Sequence, residues 1–169
     1  MSWHGLVLTC GRHPRGVTEK SLEATRVVDA RPDQVFALLA TPDRHPELDA
    51  SGTVRGSRTH QPLTGVGDVF EMEMHGRDMG DYVVDNHVVT FEPDVEIAWA
   101  PATHGGDRGG QVWGYRLEAC NGGGSTRVTH VYDWSAVTLE RLLPYLPVVD
   151  EDGLAATLDR VAAAVESTP

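Results

Sequence analysis

An α+β fold, a curved antiparallel sheet of six or seven strands around one long C-terminal helix, is what three features of the sequence predict. Residues 53–134 carry successive short segments of alternating polarity, separated by Gly, Pro and Asp turns. Residues 150–166 carry one amphipathic stripe at helical spacing. Between the first alternating segment and the strand-rich run lie two short helical stretches. A run of strands followed by a helix is α+β, not alternating α/β.

The elements follow in order. Leu22, Ala24, Arg26 and Val28 alternate with Glu23, Thr25, Val27 and Asp29, as in a strand with one buried face. Arg31-Pro32-Asp33 opens a helix, since proline suits the first turn and an aspartate suits the positive end of the helix dipole. That helix stops before Thr41-Pro42, because a residue preceding proline leaves the helical region. A second short helix is expected from Pro42 to Leu48. Thr53–His60 reads as a weak strand, and Val69–His75 as a strong one with Phe70, Met72 and Met74 on one side. Tyr82–Phe91 is a long strand, followed by one marked by Val95, Ile97 and Trp99. Residues 103–110 form a long Gly-rich loop. Trp113, Tyr115 and Leu117 share one face of the next strand; Val128, His130, Tyr132 and Trp134 share one face of the last. One or two helical turns are expected over Leu139–Tyr145, and Asp150 or Asp152 caps the final helix. Its stripe is Leu154, Leu158, Val161, Ala162 and Val165.

At 169 residues the chain makes one domain, read as residues 21–169 after an N-terminal tail over 1–20 that is partly ordered at best. The formal net charge of −11 argues against nucleic acid and anionic membrane surfaces, both of which require a basic patch. Cys10 and Cys120 share no motif spacing and read as free thiols in a reducing compartment. No segment approaches the roughly 18 apolar residues of a membrane span. The expected setting is cytoplasmic and the expected state a monomer or homodimer.

The succession Arg26-Val-Val-Asp-Ala-Arg-Pro-Asp-Gln-Val-Phe-Ala-Leu-Leu39, Phe91-Glu-Pro to Ile97-Ala-Trp99, Trp113-x-Tyr-x-Leu117, Gly124-Ser-Thr-Arg-Val128, Tyr132-Asp-Trp134 and Leu158-Asp-Arg-Val161 resembles the helix-grip (SRPBCC) superfamily. That superfamily holds START domains, polyketide cyclases and birch-pollen-allergen-like proteins, and the resemblance is strongest to the polyketide cyclase/dehydrase group. It spans about residues 21–166 and implies a cavity for a small hydrophobic or aromatic ligand. It does not imply one activity, because the fold hosts carriers, cyclases and co-chaperones alike.

Candidate site residues follow from the alternation. Pairing Leu117 with Val128 sets Tyr115 opposite His130 and Trp113 opposite Tyr132, an inward cluster of rings around one imidazole. His130 is the candidate acid/base, its ordinary pKa near 6.5 suiting neutral pH; a core histidine bonded to a tyrosine hydroxyl is the structural alternative. Trp113, Tyr115, Tyr132, Trp134, Met72 and Met74 are candidate ligand contacts, the methionines as pliable lining. Arg26, on the apolar side of the first strand, is either a clamp for a ligand anion or one half of a salt bridge.

The strand 82–91 has two registers. A three-residue loop turns Tyr82, Val84, Asn86 and Val88 inward; a two-residue loop turns Asp85 and His87 inward instead. The first is favoured, since Asp85 and His87 are cheaper in water, and it makes Asn86 a ligand contact. The eight histidines are too scattered to predict a metal centre, and no motif calls for a cofactor. Three functions stay open: binding of a small hydrophobic or aromatic molecule, cyclisation or dehydration with His130 as acid/base, and a co-chaperone-like protein contact.

Overall fold

The computed structural model describes residues 19–167. Its elements are β1 (Ser21–Val28), α1 (Pro32–Leu39), α2 (His45–Leu48), β2 (Val54–Ser57), β3 (Val69–Gly76), β4 (Gly80–Glu92), β5 (Glu96–Thr103), β6 (Val112–Cys120), β7 (Ser125–Asp133) and α3 (Glu151–Glu166). The seven strands form one antiparallel sheet in the order β1-β7-β6-β5-β4-β3-β2. The first strand pairs with the last, and the others follow as a meander. Most of the expected tail lies outside the described residues.

The helix α3 begins where Asp150 accepts a hydrogen bond from the Gly153 amide at 2.8 Å, which selects Asp150 over Asp152 as the cap. A Cβ on Gly153 would lie 2.4 Å from Cγ2 of Val149, so any larger residue there must push that side chain aside. The stripe lies against the sheet as expected, with Leu154, Leu158, Val161, Ala162 and Val165 buried and Thr157 added to it. Val28, Val35, Leu39, Phe70, Ile97 and Val128 complete the main core. Burying each of these side chains contributes roughly 1.5–3 kcal/mol.

The hairpin β3–β4 has a three-residue loop and pairs Met74 with Tyr82, Met72 with Val84 and Phe70 with Asn86. The first of the two registers is therefore the one adopted. Asn86 and Val88 are buried, while Asp85 and His87 belong to the opposite face. An acid/base pair of Asp85 and His87 inside the fold is thereby ruled out.

Several expectations need correction. The weak strand shortens to Val54–Ser57, because a bulge between Val54 and Gly56 shifts its pairing with β3. Of the one or two helical turns expected over Leu139–Tyr145, one forms, the 3₁₀ turn Leu143–Tyr145, and the prolines at 144 and 147 stop it as expected. Cys120 is disulfide-bonded, not a free thiol; Cys10 lies outside the described residues.

Candidate functional site

The short loop between β6 and β7 fixes their register, and the register builds the site. Leu117 pairs with Val128, Tyr115 with His130 and Trp113 with Tyr132. Their inward side chains stack in pairs. The Tyr115 and His130 rings lie 4.3 Å apart and 8° from parallel; Trp113 and Tyr132 lie 3.9 Å apart at 16°. Trp134 leans on Tyr132 at 5.0 Å, and Trp113 reaches His130 at 6.1 Å. On the other side Trp99 of β5 meets Tyr115 at 6.0 Å. A row of rings thus crosses the inner face from Trp134 to Trp99.

The row continues into α2. His45 stacks on Trp99 at 5.1 Å and meets Phe70 edge-on at 5.3 Å. Its Nε2 lies 2.8 Å from the Leu39 carbonyl. Burial pushes its pKa below the ordinary histidine value, so the ring is neutral at pH 7.

His130 is 5% exposed, and burial pushes its pKa down to about 4. Among the described residues, the buried Nδ1 of its ring has no hydrogen-bond partner. Burial also holds the Tyr115 phenol well above the ordinary tyrosine range, helped by the nearby negative charge of Asp49. The same carboxylate acts on His130. Asp49 is anchored by the Ser51 amide at 3.0 Å, the Ser51 hydroxyl at 2.8 Å and the Val54 amide at 3.0 Å. Tyr132 donates its hydroxyl to Oε1 of Gln111 at 2.6 Å, and burial raises its pKa to about 12.

Met72 is buried and Met74 half-buried, both against the main core. Arg26 ion-pairs with Asp159 of α3, and both side chains are substantially exposed, 43% and 66%. Its charge is thus partnered at the rim, away from the row of rings.

These rings line the inner face of the sheet opposite α3. Two recesses open on other parts of the surface. The larger, about 540 Å³, is bordered by Val66, His87 and Arg108; the other lies beside Pro147–Asp150. Tyr132 and Trp134, with Val137 and Leu154, form a smaller cluster covered by the partly buried Leu142, Leu146 and Val149. In the same segment Leu139, Leu143, Tyr145 and Val148 are exposed.

This architecture matches known proteins. Zhui aromatase/cyclase from a Streptomyces species superposes with a TM-score of 0.61 at 14% identity, over 87% of this chain and 93% of that one. An AHSA1-like protein from Aeromonas hydrophila superposes at 0.58 and 17% identity, over 86% and 93%. The fold is the helix-grip fold.

No protein-family model matches this helix-grip chain. An uncharacterized protein of Mycobacterium tuberculosis, Rv0088, is 30% identical over 141 residues. That match takes in 76% of this chain and 58% of the relative, so the chain spans little more than half of that protein.

Sequence reasoning missed three members of the helix-grip site. Trp99 shares a face with Ile97 and pairs with Trp113, so extending the strand register by one hairpin finds it. His45 and Asp49 lie on and just after α2, where no strand periodicity points inward. A second cluster stands on the outer face. Glu71 and Asp85 are cross-strand partners, and with His104 they bring three potential ligand atoms within 4.8 Å of one another. There Asp85 accepts from the Gly105 amide at 2.8 Å, which with His104 keeps its carboxyl below the usual range. Its bond to His104, also 2.8 Å, raises the imidazole pKa above the ordinary histidine value.

Proposed function

We propose that this helix-grip domain binds a small hydrophobic or aromatic molecule between the inner face of its sheet and α3. The observation that carries this reading is the row of stacked rings, Trp99, Tyr115, His130, Trp113, Tyr132 and Trp134, collected on one face of three adjacent strands. Aliphatic side chains would fill a core without placing polar tips there. Flat rings also offer stacking surfaces to a flat ligand. The ligand enters by displacing Leu142, Leu146 and Val149, which cover the Tyr132 end of the row from an irregular and largely exposed segment. Met72 and Met74 adapt the far side of the site, and Asn86 gives it a polar group. The likeness to Zhui aromatase/cyclase supports the fold such a role needs.

A second reading, that the domain catalyses cyclisation or dehydration, is favoured by the unpartnered Nδ1 of His130. A neutral imidazole with a free nitrogen can take a proton from a bound substrate.

Native mass spectrometry of freshly purified protein tests the binding reading. A co-purifying molecule of a few hundred daltons that leaves on unfolding is the expected result. A mass equal to the bare chain, unchanged after exposure to aromatic and lipid extracts, would count against it.

A further inference from the structure

We propose that the outer face of the sheet binds one divalent transition-metal ion, of the zinc class, through Glu71, Asp85 and His104. The site stands on the opposite face from the row of rings and is independent of it.

Three elements bring the ligands together. Glu71 of β3 and Asp85 of β4 are direct cross-strand partners, with their side chains on the same face. On its other side Asp85 pairs with Ala102 of β5, one residue before that strand ends. The chain turns there, with the Gly106 amide on the Thr103 carbonyl at 2.7 Å and Gly105 at φ +72°, and His104 comes back to Asp85. One ligand atom from each of the three residues lies within 4.8 Å of the other two. Ligands about 2.0–2.2 Å from one ion stand at most about 4.4 Å apart, so small side-chain rotations close the triad on a metal.

Charge argues for a cation between them. Carboxylates placed directly opposite on a sheet repel. Arg58, whose amide bonds the Glu71 carbonyl, sends its guanidinium to Glu73 at 3.1 Å instead. Among the described residues the Glu71 carboxylate enters no hydrogen bond or ion pair. Asp85 is held in place: its side chain is 14% exposed, with one oxygen on Nδ1 of His104 and the other on the Gly105 amide, both at 2.8 Å. A carboxylate has about four lone-pair positions, so the Gly105 amide orients it without using it up. The ion takes the place of the proton shared by His104 and Asp85. One imidazole with two carboxylates suits zinc and its neighbours, whereas magnesium and calcium prefer oxygen ligands alone. His104 is 53% exposed, which leaves the ion a path from solvent.

Calorimetry of the full chain, first stripped with a chelator, against zinc chloride and magnesium chloride tests this. One equivalent of zinc should bind, about a hundredfold or more tighter than magnesium. Glu71→Gln and His104→Gln should each weaken zinc binding about tenfold or more. Glu71→Gln removes no hydrogen bond of the described residues, so this variant should fold as wild type does. With ¹⁵N-labelled histidine, the side-chain resonances that disappear in His104→Gln should shift on adding zinc to wild-type protein and saturate at one equivalent. Absence of zinc binding overturns the proposal. So does zinc affinity that either variant leaves unchanged, or a His104 resonance that zinc does not move, since another group would then hold the ion. None of these results bears on binding at the inner face.

Discussion

The imidazole of His130 and the phenol ring of Tyr115 lie face to face, 4.3 Å apart and 8° from parallel, on neighbouring strands of the sheet. Neither ring is charged at neutral pH, since burial lowers the histidine pKa and raises that of the tyrosine. The pair is therefore a neutral stack, and its stability has a pH signature.

Acidification should destabilise the protein through this histidine. The unfolded imidazole takes up its proton near pH 6.5, the folded one only near 4. Between these values the unfolded chain holds more protons, so stability is complete above about 6.5 and falls as the pH drops towards 4. At about 1.4 kcal/mol per pH unit, the loss is about 3 kcal/mol. Buried His45 adds to it in the same direction. Urea unfolding at a series of pH values checks this. His130→Phe should flatten the profile between pH 6.5 and 4, and should match or exceed wild-type stability at pH 7.

Removing the Tyr132 hydroxyl should cost about 1 kcal/mol, because it donates to Gln111 at 2.6 Å. Tyr132→Phe and Gln111→Ala, alone and together, form a double-mutant cycle. A coupling above about 0.5 kcal/mol is expected; additive losses would show that the bond contributes nothing.

Gly110→Ala should be among the more damaging small substitutions. Gly110 has φ +91°, and a Cβ there would sit 2.4 Å from the Ala136 carbonyl oxygen. The loop cannot keep its path against the β7 exit, and Gln111 would leave Tyr132. A loss of roughly 1–3 kcal/mol is expected from the backbone conformation alone. A midpoint of thermal unfolding equal to that of wild type would contradict the close approach.

Arg26→Ala should change stability by at most about 1 kcal/mol, since its partner Asp159 and the guanidinium itself are both well exposed to solvent. It should also leave the affinity for 2-naphthol within twofold. A tenfold loss would restore the anion-clamp role for Arg26.

Much of this was legible because of one short loop. The turn at residues 121–124 ties β6 to β7, so the pairing of Tyr115 with His130 and Trp113 with Tyr132 follows from alternation alone. The β4 register followed from the cost of burying Asp85 and His87. His45 and Asp49 were not legible: α2 and the loop after it reach the sheet through tertiary packing, which strand periodicity does not encode. The size of a cavity was not legible, because strand number sets the width of a sheet, whereas side-chain volume sets what is left open. Trp99, Trp113, Tyr115 and Tyr132 take up that width. Arg26 was placed on the correct face, but not its position at a rim where Asp159 reaches it.

The central claim is that an aromatic ligand lies against this row of rings. Intermolecular NOEs from 2-naphthol to assigned side-chain protons test it most directly. The account predicts contacts to Trp113, Tyr115 and Leu154. Contacts confined to the outer recess at Val66, His87 and Arg108, with none to the inner rings, would contradict it.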